Sequence, residues 1–256
     1  MFTGIVQDTA RICNINDHEG LRTFVIEFPA GFCHGLKVGA SVSVDGVCLT
    51  VTEIVSPTKT KFDVVLQSLR ITTLSRHLEG QIVNVERAAR DGAEIGGHPL
   101  SGHIDFCTQI IDIKEIEGNC RVRFHCKAKW RPYIFPKGYI AINGCSLTLS
   151  EVDKKQGYFE VWLIPETRRV TTFADKGIGD WVNIEIERGT QVVVDTIKDT
   201  LEKHLGALYP AFETLLAERQ IDLTSSVLKA LALPETAEDT SRQNQESANA
   251  IGDMPR

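Results

Sequence analysis

Long apolar runs are missing from this chain. None approaches the roughly 18 residues that a membrane-spanning helix needs, so no membrane contact is expected. A basic surplus is missing too: 28 Lys and Arg stand against 34 Asp and Glu, for a formal net charge of -6. A dedicated nucleic-acid binder is usually basic, so nucleic acid is not an expected partner. The opening MFTGIVQDTARI has neither a basic n-region nor an apolar h-region, which makes the cytoplasm the expected location. Cys-x-x-Cys pairs are absent, and the neighbours Cys33-His34 and His125-Cys126 lack zinc-site spacing, so no metal is expected. The 7 cysteines, an odd number, read as reduced and mostly buried small apolar residues. What remains is an ordinary globular composition, 42% hydrophobic and 24% charged, in 256 residues. That length allows two modest domains and an appendage.

What is present is a repeat. GASVSVDGVCLTVTEI, Gly39 to Ile54, returns as GYIAINGCSLTLSEV, Gly138 to Val152. Gly46 falls on Gly144, 98 positions later, and Asp45 on Asn143, Thr50 on Thr148 and Glu53 on Glu151. FTGIV at Phe2 returns as LSGHI at Leu100, KFDVVLQSLRITTL at Lys61 as YFEVWLIPETRRVTTF at Tyr158, and IVNVER at Ile82 as WVNIEIER at Trp181. A period this long is a tandem pair of whole domains, not a solenoid. One mismatch stands out: Cys48 lies where the second copy has Ser146.

Within each copy, short apolar and β-branched runs flank an Asp-Gly or Asn-Gly step, at Asp45-Gly46 and Asn143-Gly144. These steps are strong hairpin signals because both residues tolerate positive φ. Strands are predicted around Thr23–Phe28, Phe62–Leu66 and Gln81–Glu86. The fold class is therefore all-β, with two small antiparallel barrels of roughly six strands each; the pattern alone fits a sandwich equally well. Paired glycines and a proline in EIGGHPLSGH, Glu94 to His103, mark the boundary, dividing residues 1–97 from 98–190. After Thr190 the period changes. Val194, Ile197, Leu201, Leu205 and Leu208 recur every three or four residues, which predicts a helix with one apolar stripe. Such a stripe needs a partner, and self-association is favoured. The helical segment is expected over 191–233, with a second apolar-periodic piece at Phe212–Leu233. The polar tail, 234–256, reads as disordered.

Taken in order, MFTGIV, the paired hairpin stretches, IGGHPLSGHID and LIPETRRVTT resemble the α-chain type of riboflavin synthase over roughly Met1 to Leu205. The resemblance implies two Greek-key barrels, a helix that assembles a homotrimer, and no cofactor. It also implies a reaction: two molecules of 6,7-dimethyl-8-ribityllumazine become riboflavin and a ribitylamino-pyrimidinedione as one passes four carbons to the other. Two like barrels suit a reaction between two identical molecules, since holding them face to face supplies effective molarity. The first barrel of one subunit would meet the second barrel of a neighbour. A non-catalytic lumazine- or flavin-binding antenna protein is the alternative.

By position, the resemblance places ligand contacts of the first barrel at Gly4, Ile5 and Val6, at Cys48, Leu49 and Thr50, and from Asp63 through Val64, Val65, Leu66 and Gln67 to Ser68. Those of the second fall at Gly102, His103 and Ile104, at Ser146, Leu147 and Thr148, and from Leu163 through Ile164, Pro165, Glu166 and Thr167 to Arg168. Lys137 would reach across. The chemistry begins by removing a proton from the 7-methyl group, for which a histidine suits. His103, in the place of Ile5, is implied to lie beside Thr148 and serve as base. Cys48 would add to the acceptor or polarise the water that does, assisted by Ser41, with Tyr139 as the counterpart of Ser41 in the second copy. His98, in a Gly-Gly-His turn, reads mainly as structural. Two departures concern the carboxylates: Gln67-Ser68 stands where a Glu-Thr pair is usual, and Glu187 where an Asp is.

Overall fold

The computed structural model describes residues 1–218, in two compact units that divide between Glu187 and Arg188. The first unit holds two closed barrels. Barrel one is built from β1 (Asp8–His18), β2 (Leu21–Glu27), β3 (Ser41–Val44), β4 (Val47–Ser56), β5 (Lys59–Val65) and β6 (Ile82–Arg87), in the spatial order β1-β2-β5-β4-β3-β6. Barrel two repeats it with β7 (Phe106–Ile116), β8 (Asn119–His125), β9 (Tyr139–Ile142), β10 (Cys145–Asp153), β11 (Tyr158–Leu163) and β12 (Trp181–Ile186). In each, three hairpin-linked strands are followed by one that returns beside the first of them, β6 beside β3 and β12 beside β9. That is Greek-key order. Every pair is antiparallel, and closure leaves neither sheet with an open edge.

Alternation explains the cores. Strand β2 buries Phe24 and Ile26 but not Thr23 or Val25, and β5 buries Phe62 and Val64 but not Lys61 or Asp63. The second core centres on Phe124 and Phe159, whose rings stack at 5.2 Å, with Ile110, Ile140 and Ile142 around them. Cys33, Cys120, Cys126 and Cys145 are buried thiols, and burial pushes Cys145 up to about 12. Such thiols are packing, not nucleophiles.

The predicted hairpins turn at Asp45 and Asn143, with φ of 45° and 46°. Both turns also face each other between the barrels: a Cβ on Gly46 would come within 2.7 Å of the Gly144 nitrogen. Side-chain ties around that contact are reciprocal. Asn84 donates to the Asn143 carbonyl at 3.0 Å and accepts from the Thr172 amide at 2.8 Å. Asn183 donates to the Asp45 carbonyl at 2.8 Å and accepts from the Thr73 amide at 2.7 Å. All four turn and strand residues are at most 1% exposed, so each bond replaces water that cannot reach it.

Two departures from the sequence pattern are local. Leu66, expected to end a strand, opens a one-and-a-half-turn helix α1 (Leu66–Ile71), repeated as α2 (Pro165–Val170). Residues 88–105 carry no strand or helix beyond a single bridge between Phe2 and Leu100. In the second unit, α3 runs over Arg188–Leu205 and α4 over Tyr209–Glu218, joined by a 3-10 turn. Leu208, counted in the expected stripe, falls in that turn. Ile197, Leu201 and Leu205 are each more than half exposed. Residues 219–233 of the expected helical segment, and the tail, lie outside the described residues.

Candidate functional site

The two hairpins β3-β4 and β9-β10 present the mismatched pair. Across the first, Ser41 stands opposite Thr50 and Ser43 opposite Cys48. Across the second, Tyr139 stands opposite Thr148 and Ala141 opposite Ser146. With a side-chain period of 2, each set lies on one face, turned away from Leu49 and Leu147, which fill the cores. Cys48 and Ser146 are half-buried; Thr50 and Thr148 are exposed.

The leading segments of the two repeats are exchanged. Gly4 accepts from the Ser146 amide at 2.8 Å, and Gly102 accepts from the Cys48 amide at 2.8 Å. Val6 packs into the core of barrel two and Ile104 into that of barrel one. Each segment is nonetheless tied to the barrel that follows it. Glu86 takes the Thr3 and Gly4 amides and the Thr3 hydroxyl at 2.6 to 3.2 Å; Glu185 takes Ser101 and Gly102 the same way at 2.7 to 3.0 Å. Burial raises the Glu86 carboxyl, and the Thr3 and Gly4 donors pull it back. Only glycine fits the crossing point: a Cβ on Gly102, at φ +79°, would stand 2.6 Å from the Cys48 Cβ. The expected grouping is therefore corrected. Gly102, His103 and Ile104 belong with Cys48, and Gly4, Ile5 and Val6 with Ser146. His103 follows Gly102 on the Cys48 side.

Ser146 has a neighbour in His98, which the sequence pattern marks mainly as structural. His98 Nδ1 lies 2.6 Å from Ser146 Oγ, and its ring stacks on Tyr139 at 5.2 Å. His98 is 3% exposed, and burial lowers its pKa against the raising influence of Glu187. The ring is thus neutral near neutral pH and can exchange a proton with the hydroxyl. The linker IGGHP delivers this imidazole. Nothing periodic marks it, although the adjacent Gly-Gly step is the one signal of a close approach.

The remaining expected residues line the outer strand and the short helices. Val64 and Leu163 point into cores and offer only backbone, whereas Asp63 and Val65 face out, Asp63 accepting from the Thr23 hydroxyl at 2.7 Å. In α1, Leu66 and Ser68 are half-buried and Gln67 exposed. Ile164 and Pro165 are exposed where α2 begins, and Thr167 is half-buried. Glu166 accepts from Arg169 at 2.6 and 2.9 Å, while Arg168 pairs with Glu115 at 2.8 Å. Lys137 is exposed, at a left-handed φ of 65°, with its amide on the Leu149 carbonyl. Among the described residues no cluster of three or more His, Cys, Asp or Glu side chains could hold a metal, and no helix is long and apolar enough to cross a membrane.

Paired closed barrels with reciprocal polar hairpins define a tandem small-ligand-binding protein, and the lumazine binding domain model matches twice, over residues 3–88 and 101–187. Riboflavin synthase of Escherichia coli (strain K12) is 44% identical over 209 residues, 81% of this chain and 97% of the relative. That of Chlamydia pneumoniae is 41% identical, over 78% of this chain and 97% of its own. The chain belongs to the riboflavin synthase family. Among solved structures, LumP complexed with riboflavin aligns with a TM-score of 0.68 at 26% identity, over 73% of this chain and all of that one. LumP complexed with 6,7-dimethyl-8-(1'-D-ribityl) lumazine gives 0.66, over 73% and 99%.

Proposed function

We propose that this protein is a cytoplasmic transferase that converts two molecules of 6,7-dimethyl-8-ribityllumazine into riboflavin and 5-amino-6-(D-ribitylamino)uracil. The observation that carries this reading is the unequal chemistry of two otherwise reciprocal hairpins, a thiol at Cys48 and a hydroxyl–imidazole pair at Ser146 and His98. Two identical molecules in such sites are given different parts. Ser146 and the neutral His98 suit removal of a proton from the 7-methyl group, whose carbanion spreads into the ring. Cys48, helped by Ser41, suits attack on the other molecule or activation of the water that attacks it. Each ring would lie along the outward face of its hairpin, with Thr50 or Thr148 beside it, and each ribityl chain would run to Gln67-Ser68 or Glu166-Thr167, whose polar side chains bond hydroxyls.

Within one chain the Cys48 and Ser146 sites sit behind exchanged leaders, so the two ligands would meet between subunits. A homotrimer joined through the stripe of α3 supplies that arrangement. There His103 of one subunit and Thr148 of the next come together, with Lys137 reaching across. Family membership at 44% identity favours turnover over the antenna reading, for which the 26% likeness to LumP is weaker support.

The test is direct. Purified protein is given 6,7-dimethyl-8-ribityllumazine alone, and riboflavin formation is followed by absorbance. Turnover without any added cofactor is expected; tight binding with no product would instead favour the antenna protein.

A further inference from the structure

The two short helices that close the ligand strands carry different charges. In α2, Glu166 and Arg169 stand one turn apart and form a two-pronged ion pair, at 2.6 and 2.9 Å. In α1, the same positions are Gln67 and Arg70. Residues three apart share a helix face, and the pair in α2 shows that side chains at these positions reach one another. Gln67 offers no charge to Arg70. Among the described residues Arg70 makes no ion pair or hydrogen bond, and it is exposed. The neighbouring position differs as well: Arg168 in α2 is spent on Glu115, whereas Leu69 in α1 is buried.

Asp17 in barrel one is held by Arg22 at 2.6 and 2.9 Å. The exposed strand acid Asp63 accepts from the Thr23 hydroxyl, whereas its counterpart Glu160 is buried and held by Arg123 at 2.9 Å. The hairpin-tip acid Glu19 has Glu117 as its counterpart. On the helix itself, barrel one lacks a carboxylate and leaves a guanidinium unneutralised. A guanidinium in that state is the group that takes phosphate with charge-assisted, often two-pronged hydrogen bonds.

We propose that barrel one, unlike barrel two, accepts ribityl ligands whose terminal hydroxyl carries a phosphate, with Arg70 holding the phosphate and Gln67 donating its amide. In barrel two, Glu166 stands where the phosphate would lie and repels it. This rests on the reading that α1 and α2 each receive a ribityl end. Gln67 is then a specificity-determining residue, and its replacement of a carboxylate is what admits the second charge class.

The experiment titrates the full-length protein with riboflavin and with riboflavin 5'-phosphate, following flavin fluorescence and counting bound ligand by equilibrium dialysis. Riboflavin is expected in both barrels and the phosphate ester in one per chain. Arg70→Ala should weaken the ester by about tenfold, the loss of one charge-assisted contact, with riboflavin within about twofold. Gln67→Glu should remove ester binding selectively. Glu166→Gln should raise ester affinity relative to riboflavin in barrel two. Ester bound equally to both barrels, to neither while riboflavin binds, or indifferently to Arg70→Ala, would overturn the inference. Failure of riboflavin itself to bind would overturn the underlying reading instead.

Discussion

Cys48 and Ser146 occupy one strand position in two copies of a hairpin, yet their surroundings send them toward different chemistry. Ser146 is coupled to a buried neutral imidazole at 2.6 Å. Ser146→Ala should therefore lower kcat by about 10²-fold, the low end for loss of general acid–base help, with a smaller change in KM; an unchanged kcat would remove Ser146 from the chemistry. His98 also ties stability to pH. Its folded pKa lies below its unfolded value, so the unfolded chain binds the proton more readily. Stability is thus full above about pH 6.5 and falls as pH drops from there toward the lowered folded value. Melting temperatures measured from pH 7 down to pH 5 should fall less steeply for His98→Asn than for the unmodified protein; equal slopes would contradict this. The Cys48/Ser146 contrast is legible in sequence because the repeat aligns the two residues. The His98 contact is not, because it joins residues 48 apart through a linker that carries no periodic signal.

At the scale of elements, the barrels are joined by two asparagines used in the same way. Asn84→Ala leaves the Asn143 carbonyl and the Thr172 amide without their partner in a dry contact. At roughly 1–3 kcal/mol for each buried group left unpaired, the loss is about 2–6 kcal/mol, measurable as a lower urea midpoint at constant slope. Asn183→Ala should cost a similar amount, and additivity should fail in the double variant because both serve one contact. The hairpins that meet there were readable, since Asp-Gly and Asn-Gly demand a particular turn. Helix α1 was not: six residues, LQSLRI, span too few turns to show a 3.6-residue period. The exchange of leaders was hidden for another reason. Alternation tells which face of a strand is buried, but not which of two like barrels receives Val6 or Ile104.

For the whole molecule, the helical unit carries the last requirement of the proposed reaction. An apolar row in which Ile197, Leu201 and Leu205 are 51% to 55% exposed is a poor surface to leave in water. Covering it with the same row of other subunits gives closed symmetry. If the reacting pair forms only between subunits, then association and catalysis fail together. Deleting the chain after Gln191 removes the row and leaves both barrels intact, since each closes through its own strands. The truncated protein should sediment as a single chain and still bind riboflavin. Its turnover should fall by at least about 100-fold, because a solution encounter replaces a juxtaposition that supplies several kcal/mol. Activity should also rise more than linearly with protein concentration, as reassociating barrels rebuild the site. A truncated protein that remains trimeric would refute the role given to α3, and a monomer with full activity would place both substrates within one chain.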